Sequence, residues 1–261
     1  MIGRVLLGFA AIAATAEATT IIAVQTASAI TLGADSLSVD AQDIATSGGA
    51  KSYECKIGSF GGVFWAAQGL RGADFPSGRR FSVDEIAKDA MTGSDKFALK
   101  LQKFQDELLP PLKYTLRSLR RSNRQQFSGT DAHAITDVLF ATIEDGKTVL
   151  TKISFAIRIT GANADIVPVK IDCHAGEILT AGYAGAMRDW LLKPPAGWHP
   201  TANWVRQMIE LEMKSNSDVG GLVAVVTLTK SGSHWDFPGL CVQSPRGRAT
   251  KDSPTRRNSK E

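Results

Sequence analysis

Cysteine is scarce in this chain: Cys55, Cys173 and Cys241 are the three in 261 residues. They are too few for a disulfide-dense scaffold and too scattered for a zinc site built from cysteine alone. Two readings stay open, one disulfide with one thiol left over in an exported protein, or three buried free thiols. The four histidines, His133, His174, His199 and His234, have no metal-ligand spacing, so neither a metal nor an organic cofactor is expected. Aromatic residues make up 7% of the chain. The basic stretch 117–124 (RSLRRSNR) lacks the interleaved aromatics of a single-strand binder and reads as a solvated helix face. Net charge is also short. Residues 243–261 carry six Lys/Arg and two Asp/Glu, which accounts for the whole formal charge of +4. The body is neutral, and a global nucleic-acid footprint is excluded. No run is long and apolar enough for a confident membrane span.

What the chain does have is material for one large domain or two small ones, with 43% hydrophobic and 21% charged residues. Residues 1–18 follow the order of a secretory signal peptide: Arg4, an apolar run over 5–14, then Ala16-Glu17-Ala18, a small-x-small cleavage pattern. A propeptide removed in another way is the alternative. Either route leaves Thr19 as a free N-terminus. A threonine with a free α-amine is a nucleophile carrying its own base. A secreted or periplasmic location is expected, with a cytoplasmic protein and an overread start as the alternative.

The stretch 19–36, TTIIAVQTASAITLGADS, reads as a β-hairpin with a small-residue turn around Ala27 and Ser28. Gly48-Gly49 marks a turn in the polar segment 39–52. Residues 53–69 form a second hairpin around Gly61-Gly62. Helical patterning covers 82–121, opened by a Ser82–Glu85 capping box and broken or kinked at Pro110-Pro111. A third hairpin turns at Asp145-Gly146, and strands follow at 165–171 and 177–181. Helices at 182–192 and 201–215 precede strands at 222–229 and 233–237. The tail 243–261 is polar, basic and expected to be disordered. Asp172-Cys173-His174 invites a catalytic dyad. Neighbours on a strand point to opposite faces, so it is not taken as one. The antiparallel hairpins and two helical blocks fit an α+β fold with two stacked sheets and helices on each outer side.

An N-terminal threonine needs a cation near its hydroxyl, a carboxylate to hold the cation, and a backbone N–H for the oxyanion. Asp35 ends the first hairpin, Lys56 starts the second and Gly69 ends it. The motifs Thr19-Thr-Ile-Ile-Ala-Val, Thr31-Leu-Gly-Ala-Asp35-Ser36, Lys56-Ile and Ala66-Ala-Gln-Gly69-Leu resemble the β-type subunits of proteasomes and their bacterial relatives. These are N-terminal-nucleophile (Ntn) hydrolases. Residues 137–142, 178–187 and 217–221 extend the resemblance over most of the body.

The resemblance implies a four-layer α-β-β-α sandwich over 19–242. It implies amide or peptide hydrolysis through an acyl-enzyme ester, without a cofactor. Thr19 would be nucleophile and, through its α-amine, base. Asp35 would orient Lys56, Lys56 would tune Thr19, and the Gly69 N–H would line the oxyanion hole. Lys51 stands nearer the usual distance from Thr19, but Lys56 has the local context. The resemblance implies a homo-oligomer, with a ring as one form. It also shows departures. The turn glycine of the first hairpin is absent, and Ala181, Asn216 and Val219 stand where serine, aspartate and serine are common. A catalytically inactive structural or binding subunit of the same fold is the alternative these departures favour.

Overall fold

The computed structural model describes residues 13–17, 19–39, 51–75, 80–122, 134–160, 163–191 and 200–242. The apolar run up to residue 12, Ala18, the Gly48-Gly49 turn and the tail 243–261 lie outside the described residues.

Fourteen strands are described. The first eight are β1 (Ala13–Glu17), β2 (Thr20–Gln25), β3 (Ala29–Ala34), β4 (Leu37–Val39), β5 (Lys51–Tyr53), β6 (Ile57–Phe60), β7 (Val63–Asp74) and β8 (Arg80–Ser82). The rest are β9 (Ala134–Glu144), β10 (Lys147–Thr160), β11 (Asn163–Asp172), β12 (Ile178–Gly182), β13 (Ala224–Thr229) and β14 (Gly232–Phe237). The helices are α1 (Val83–Ala90), α2 (Phe97–Ser122), α3 (Gly185–Leu191) and α4 (Ala202–Ser215). A seven-stranded sheet runs β1-β7-β9-β10-β11, with β6 and β8 also paired to β7. A five-stranded sheet runs β12-β2-β3-β13-β14, and β4 pairs β5 alone.

Strand periodicity decides where the core lies. On β2, Ile21 and Ala23 meet Leu139, Ala141 and Leu150 of the seven-stranded sheet, while Ile22 and Val24 meet Trp204, Val205 and Ile209 of α4. Both faces of β2 are buried, so the strand reads as a continuous apolar run. On the other face of the seven-stranded sheet, Phe104 of α2 stands edge-on to Phe140 at 4.9 Å between ring centroids. Phe104 is fully buried, and truncating it to alanine costs about 3–5 kcal/mol.

These facts correct the expected α+β, four-layer α-β-β-α sandwich. Strands hold 48% of the described residues and helices 28%, in three mostly antiparallel sheets with four helices. The expectation treated the two helical blocks as full layers and counted only the obvious hairpins. The strands β4, β5 and β8 are three residues long and β1 five, too short to be read from their own pattern. They form because a neighbouring strand offers them an edge. In the second block, the helix expected over 182–192 shrinks to the seven residues of α3.

Three local expectations meet different fates. The missing turn glycine of the first hairpin is replaced by Thr26. Its hydroxyl donates to Ala29 O at 3.0 Å and accepts the Ala29 N–H at 3.0 Å. Ser82 caps α1 by accepting the Glu85 N–H at 3.3 Å, as the capping pattern predicts. Of the break or kink expected at Pro110-Pro111, the break does not occur, and α2 passes through both residues. Its buried stripe of Phe97, Leu101, Phe104, Leu108, Leu112 and Leu116 continues past them. The exposed Pro110 and half-buried Pro111 stay out of that stripe. Packing of the stripe outweighs the two lost N–H donors.

Candidate functional site

Antiparallel pairing of β2 and β3 places Ile21 opposite Ala34. The residues just outside that pair, Thr20 and Asp35, therefore face each other. The Thr20 N–H donates to Asp35 Oδ1 at 3.0 Å, and the Asp35 N–H donates to Thr20 O at 3.3 Å. Asp35 Oδ2 accepts the N–H groups of Leu37 at 3.3 Å and Gly220 at 3.1 Å. Gly220 comes from the segment entering β13, so three separate stretches converge on one carboxylate.

Lys56 arrives from the other large sheet. It lies on the connector 54–56 between β5 and β6, and the Glu54 N–H donates to Ser36 O at 2.9 Å to hold that connector in place. The Lys56 ammonium donates to Thr19 Oγ1 and to Leu37 O, and lies 3.5 Å from Asp35 Oδ1. Thr19 is fully buried, and Asp35 and Lys56 are each 1% exposed. A buried pair of this kind persists only when both charges are matched and hydrogen-bonded, and here they are. Burial pushes the Asp35 carboxyl above its ordinary value. The Lys56 charge and the N–H groups of Gly220, Thr20 and Leu37 pull it the other way.

Lys51 occupies a different place, on β5 opposite Val39 of β4. β4 and β5 pair over 37–39 and 51–53, between Asp35 and Lys56. Of the two candidate lysines, Lys56 is the one whose ammonium reaches Thr19 Oγ1.

Gly69 sits on β7 with φ +82, opposite Glu17 of β1 on one side and Thr136 of β9 on the other. A Cβ there would stand 2.4 Å from Ile135 O. Only glycine fits both the dihedral and the approach. The pairing with Glu17 puts Gly69 beside the chain two residues before Thr19.

Two neighbours of Thr19 lie within the 178–187 stretch but were not named as site residues from the sequence. The Tyr183 N–H donates to Thr19 O at 2.9 Å, and the Thr20 hydroxyl donates to Tyr183 O at 2.8 Å. Between them in space is Gly182, φ +79, whose added Cβ would lie 1.7 Å from Thr19 O. The glycines at 182 and 185 were the signal, but nothing local says that they wrap a residue more than 160 positions away. Behind this turn, the buried Glu212 of α4 accepts the Met187 N–H of α3 at 2.6 Å.

The departures noted in the sequence are also placed. Ala181 and Val219 are buried apolar residues. Asn216 is the C-cap of α4, and its side chain accepts the Asp218 N–H at 2.9 Å.

Cys55 and Cys241 are joined in a disulfide, and Cys173 is a buried free thiol. Burial, with the nearby Glu177 charge, pushes the Cys173 thiol up to about 11, so it carries no thiolate for chemistry at neutral pH. Among the described residues no group of three or more His, Cys, Asp or Glu could hold a metal ion. No described helix is long and apolar enough to cross a membrane.

The constellation can activate a hydroxyl. A fixed ammonium next to Thr19 Oγ1 stabilises the alkoxide, and a carboxylate fixes the ammonium. No protein-family model matches the chain, and no curated protein matches it.

Proposed function

We propose that the protein is a threonine-type Ntn hydrolase that cleaves amide or peptide bonds once residues 1–18 are removed. Thr19 is the nucleophile and its freed α-amine the base. Lys56 stabilises the alkoxide, Asp35 holds Lys56, and the Gly69 N–H takes the oxyanion. The observation that carries this reading is the hydrogen bond from the Lys56 ammonium to Thr19 Oγ1, inside a cluster that also holds Asp35.

Two further observations support it. Residues 13–17 add to the edge of β7 as an antiparallel strand, opposite Gly69–Asp74. An extended peptide docks to a sheet edge in this way, which fits a polypeptide substrate. The Cys55–Cys241 disulfide fits an oxidising compartment and therefore a secreted or periplasmic protein.

The test is the intact mass and N-terminal sequence of the mature protein, followed by labelling with a threonine-directed epoxyketone. A chain beginning at Thr19 that gains one adduct on Thr19 supports the reading. A chain that keeps residues before Thr19, or is never labelled there, overturns it. The Thr19→Ala variant separates two routes of maturation. Unchanged processing means an external signal peptidase, and lost processing means self-cleavage.

The second reading is an inactive structural or binding subunit. It is favoured by the end of β12, where the side-chain-less Gly182 lies against Thr19 and Ala181 is buried in the core. That reading expects no label on Thr19.

A further inference from the structure

The three polar groups of the site come from two sheets. Thr19 and Asp35 flank β2 and β3 of the five-stranded sheet, while Lys56 enters β6 of the seven-stranded sheet. The lysine side chain is long and flexible, and its aim depends on where its backbone is held. The residue immediately before it, Cys55, is covalently bonded to Cys241, 186 positions away in sequence.

Cys241 belongs to the five-stranded side. It follows β14, and its N–H donates to Pro238 O at 2.8 Å to close a turn. Gly239 in that turn has φ +51 and packs on the start of β13, where an added Cβ would stand 3.1 Å from Ala224 Cβ. β13 pairs β3 along its length, with Ala224 opposite Ala34, the residue before Asp35. A continuous path therefore runs from Asp35 through β3, β13 and the 238–241 turn to Cys241, and across the sulfur bridge to Cys55. The bridge joins the two sheets one residue away from Lys56.

We propose that Cys241, through its disulfide to Cys55, is a positioning residue for Lys56. It holds the lysine of one sheet against the threonine and aspartate of the other. This rests on Thr19 and Lys56 being the reactive pair of the proposed function. Cys241 touches no reacting atom, and its effect is on where the ammonium stands.

The experiment compares the full mature chain with its Cys241→Ser variant by two readouts. The first is the rate at which an amine-acylating reagent modifies Lys56, followed by mass spectrometry, with Lys152 as internal reference. Lys152 is also paired and mostly buried, its ammonium 3.2 Å from Asp137 on the far strands β9 and β10. The second readout is kcat and KM on an amide substrate. The expected result is that Lys56 is acylated about tenfold faster in the variant while Lys152 changes by less than about twofold. With it, kcat falls about tenfold to hundredfold at a nearly constant KM, as displacement of a catalytic group by about 1 Å would cause.

Lys56 acylated at the wild-type rate overturns the proposal. So does a parallel rise at Lys56 and Lys152, which marks a general loss of stability. A wild-type chain that neither hydrolyses amides nor labels at Thr19, but keeps the Lys56 contrast, overturns the proposed function and leaves the positioning role standing.

Discussion

The ammonium of Lys56 donates to the hydroxyl of Thr19 across 37 positions of sequence and from one large sheet to the other. Neither residue is exposed to solvent by more than 1%. The contact exists because Asp35 balances the lysine charge and is itself held by three backbone N–H groups. Remove any one of these groups and a buried charge or donor is left without its match.

Lys56→Met should therefore act on both stability and reactivity. The substitution keeps much of the volume and removes the ammonium, leaving Asp35 buried without a cation. A stability loss of about 3–5 kcal/mol is expected, read as a shift in the urea midpoint. Folded variant should label at Thr19 at least about a hundredfold more slowly than wild type. Labelling at the wild-type rate would show that the lysine does not tune the hydroxyl.

Asp35 makes a pH-dependent contribution whose sign follows from burial. Its carboxyl is raised in the folded state, so the folded protein holds that proton more tightly than the unfolded chain. Its contribution to stability is then full below the ordinary carboxylate value of about 4 and is lost as pH rises through the raised value. Asp35→Asn cannot titrate. The stability of wild type relative to this variant should decline as pH is raised from about 4 towards neutrality. Urea titrations across that range measure it, and a difference that is flat or grows with pH contradicts the assignment.

Gly182→Ala should damage the site more than its distance in sequence suggests. The positive φ alone costs alanine about 1–2 kcal/mol. The added Cβ also collides with Thr19 O at 1.7 Å. The carbonyl must move, and its bond from the Tyr183 N–H goes with it. Gly185→Ala, where the new methyl meets nothing within 4 Å, is the control. A lower melting temperature and slower Thr19 labelling are expected for the first variant, and near-wild-type behaviour for the second.

Thiol chemistry should report the three cysteines separately. The native chain should show no fast-reacting thiol, because Cys55 and Cys241 are bridged and the buried Cys173 thiol sits at about 11. A dithiol gives up two electrons and two protons to cleave the bridge, becomes a disulfide itself, and leaves Cys55 and Cys241 as thiols. Those two should then react in the folded state, and Cys173 only after unfolding. Loss of the bridge should lower stability by about 2–5 kcal/mol. Rapid native labelling of Cys173 would contradict its burial.

The strands of the first and third hairpins were legible in the sequence because apolar residues crowd them and turn chemistry bounds them. Asp145 and Gly146, with φ 50 and 69, form such a turn. The start of the helix near 201 was legible too, and in the structure the Thr201 hydroxyl caps α4 by accepting the Trp204 N–H at 3.2 Å. β1, β4, β5 and β8 were not legible, because a short edge strand is stabilised by the neighbour it joins. Nor was the continuation of α2 through two prolines, since a buried face on a distant sheet outweighs a local penalty.

Thr19, Asp35 and Lys56 could be named from the sequence because each is chemically distinctive and lies next to a strand, whereas Gly69, expected at the end of a hairpin, lies inside β7. By itself the sequence determined that supply of groups, the neutral body and the scarcity of cysteine and histidine. Only the tertiary structure decided which lysine reaches Thr19, which two cysteines join, and that Gly182 and Tyr183 adjoin Thr19. The reason is physical. Residue type and turn chemistry act over a few positions along the chain. Hydrogen bonds and disulfides form over a few ångströms in space, and the stacking of the sheets decides which distant residues come that close.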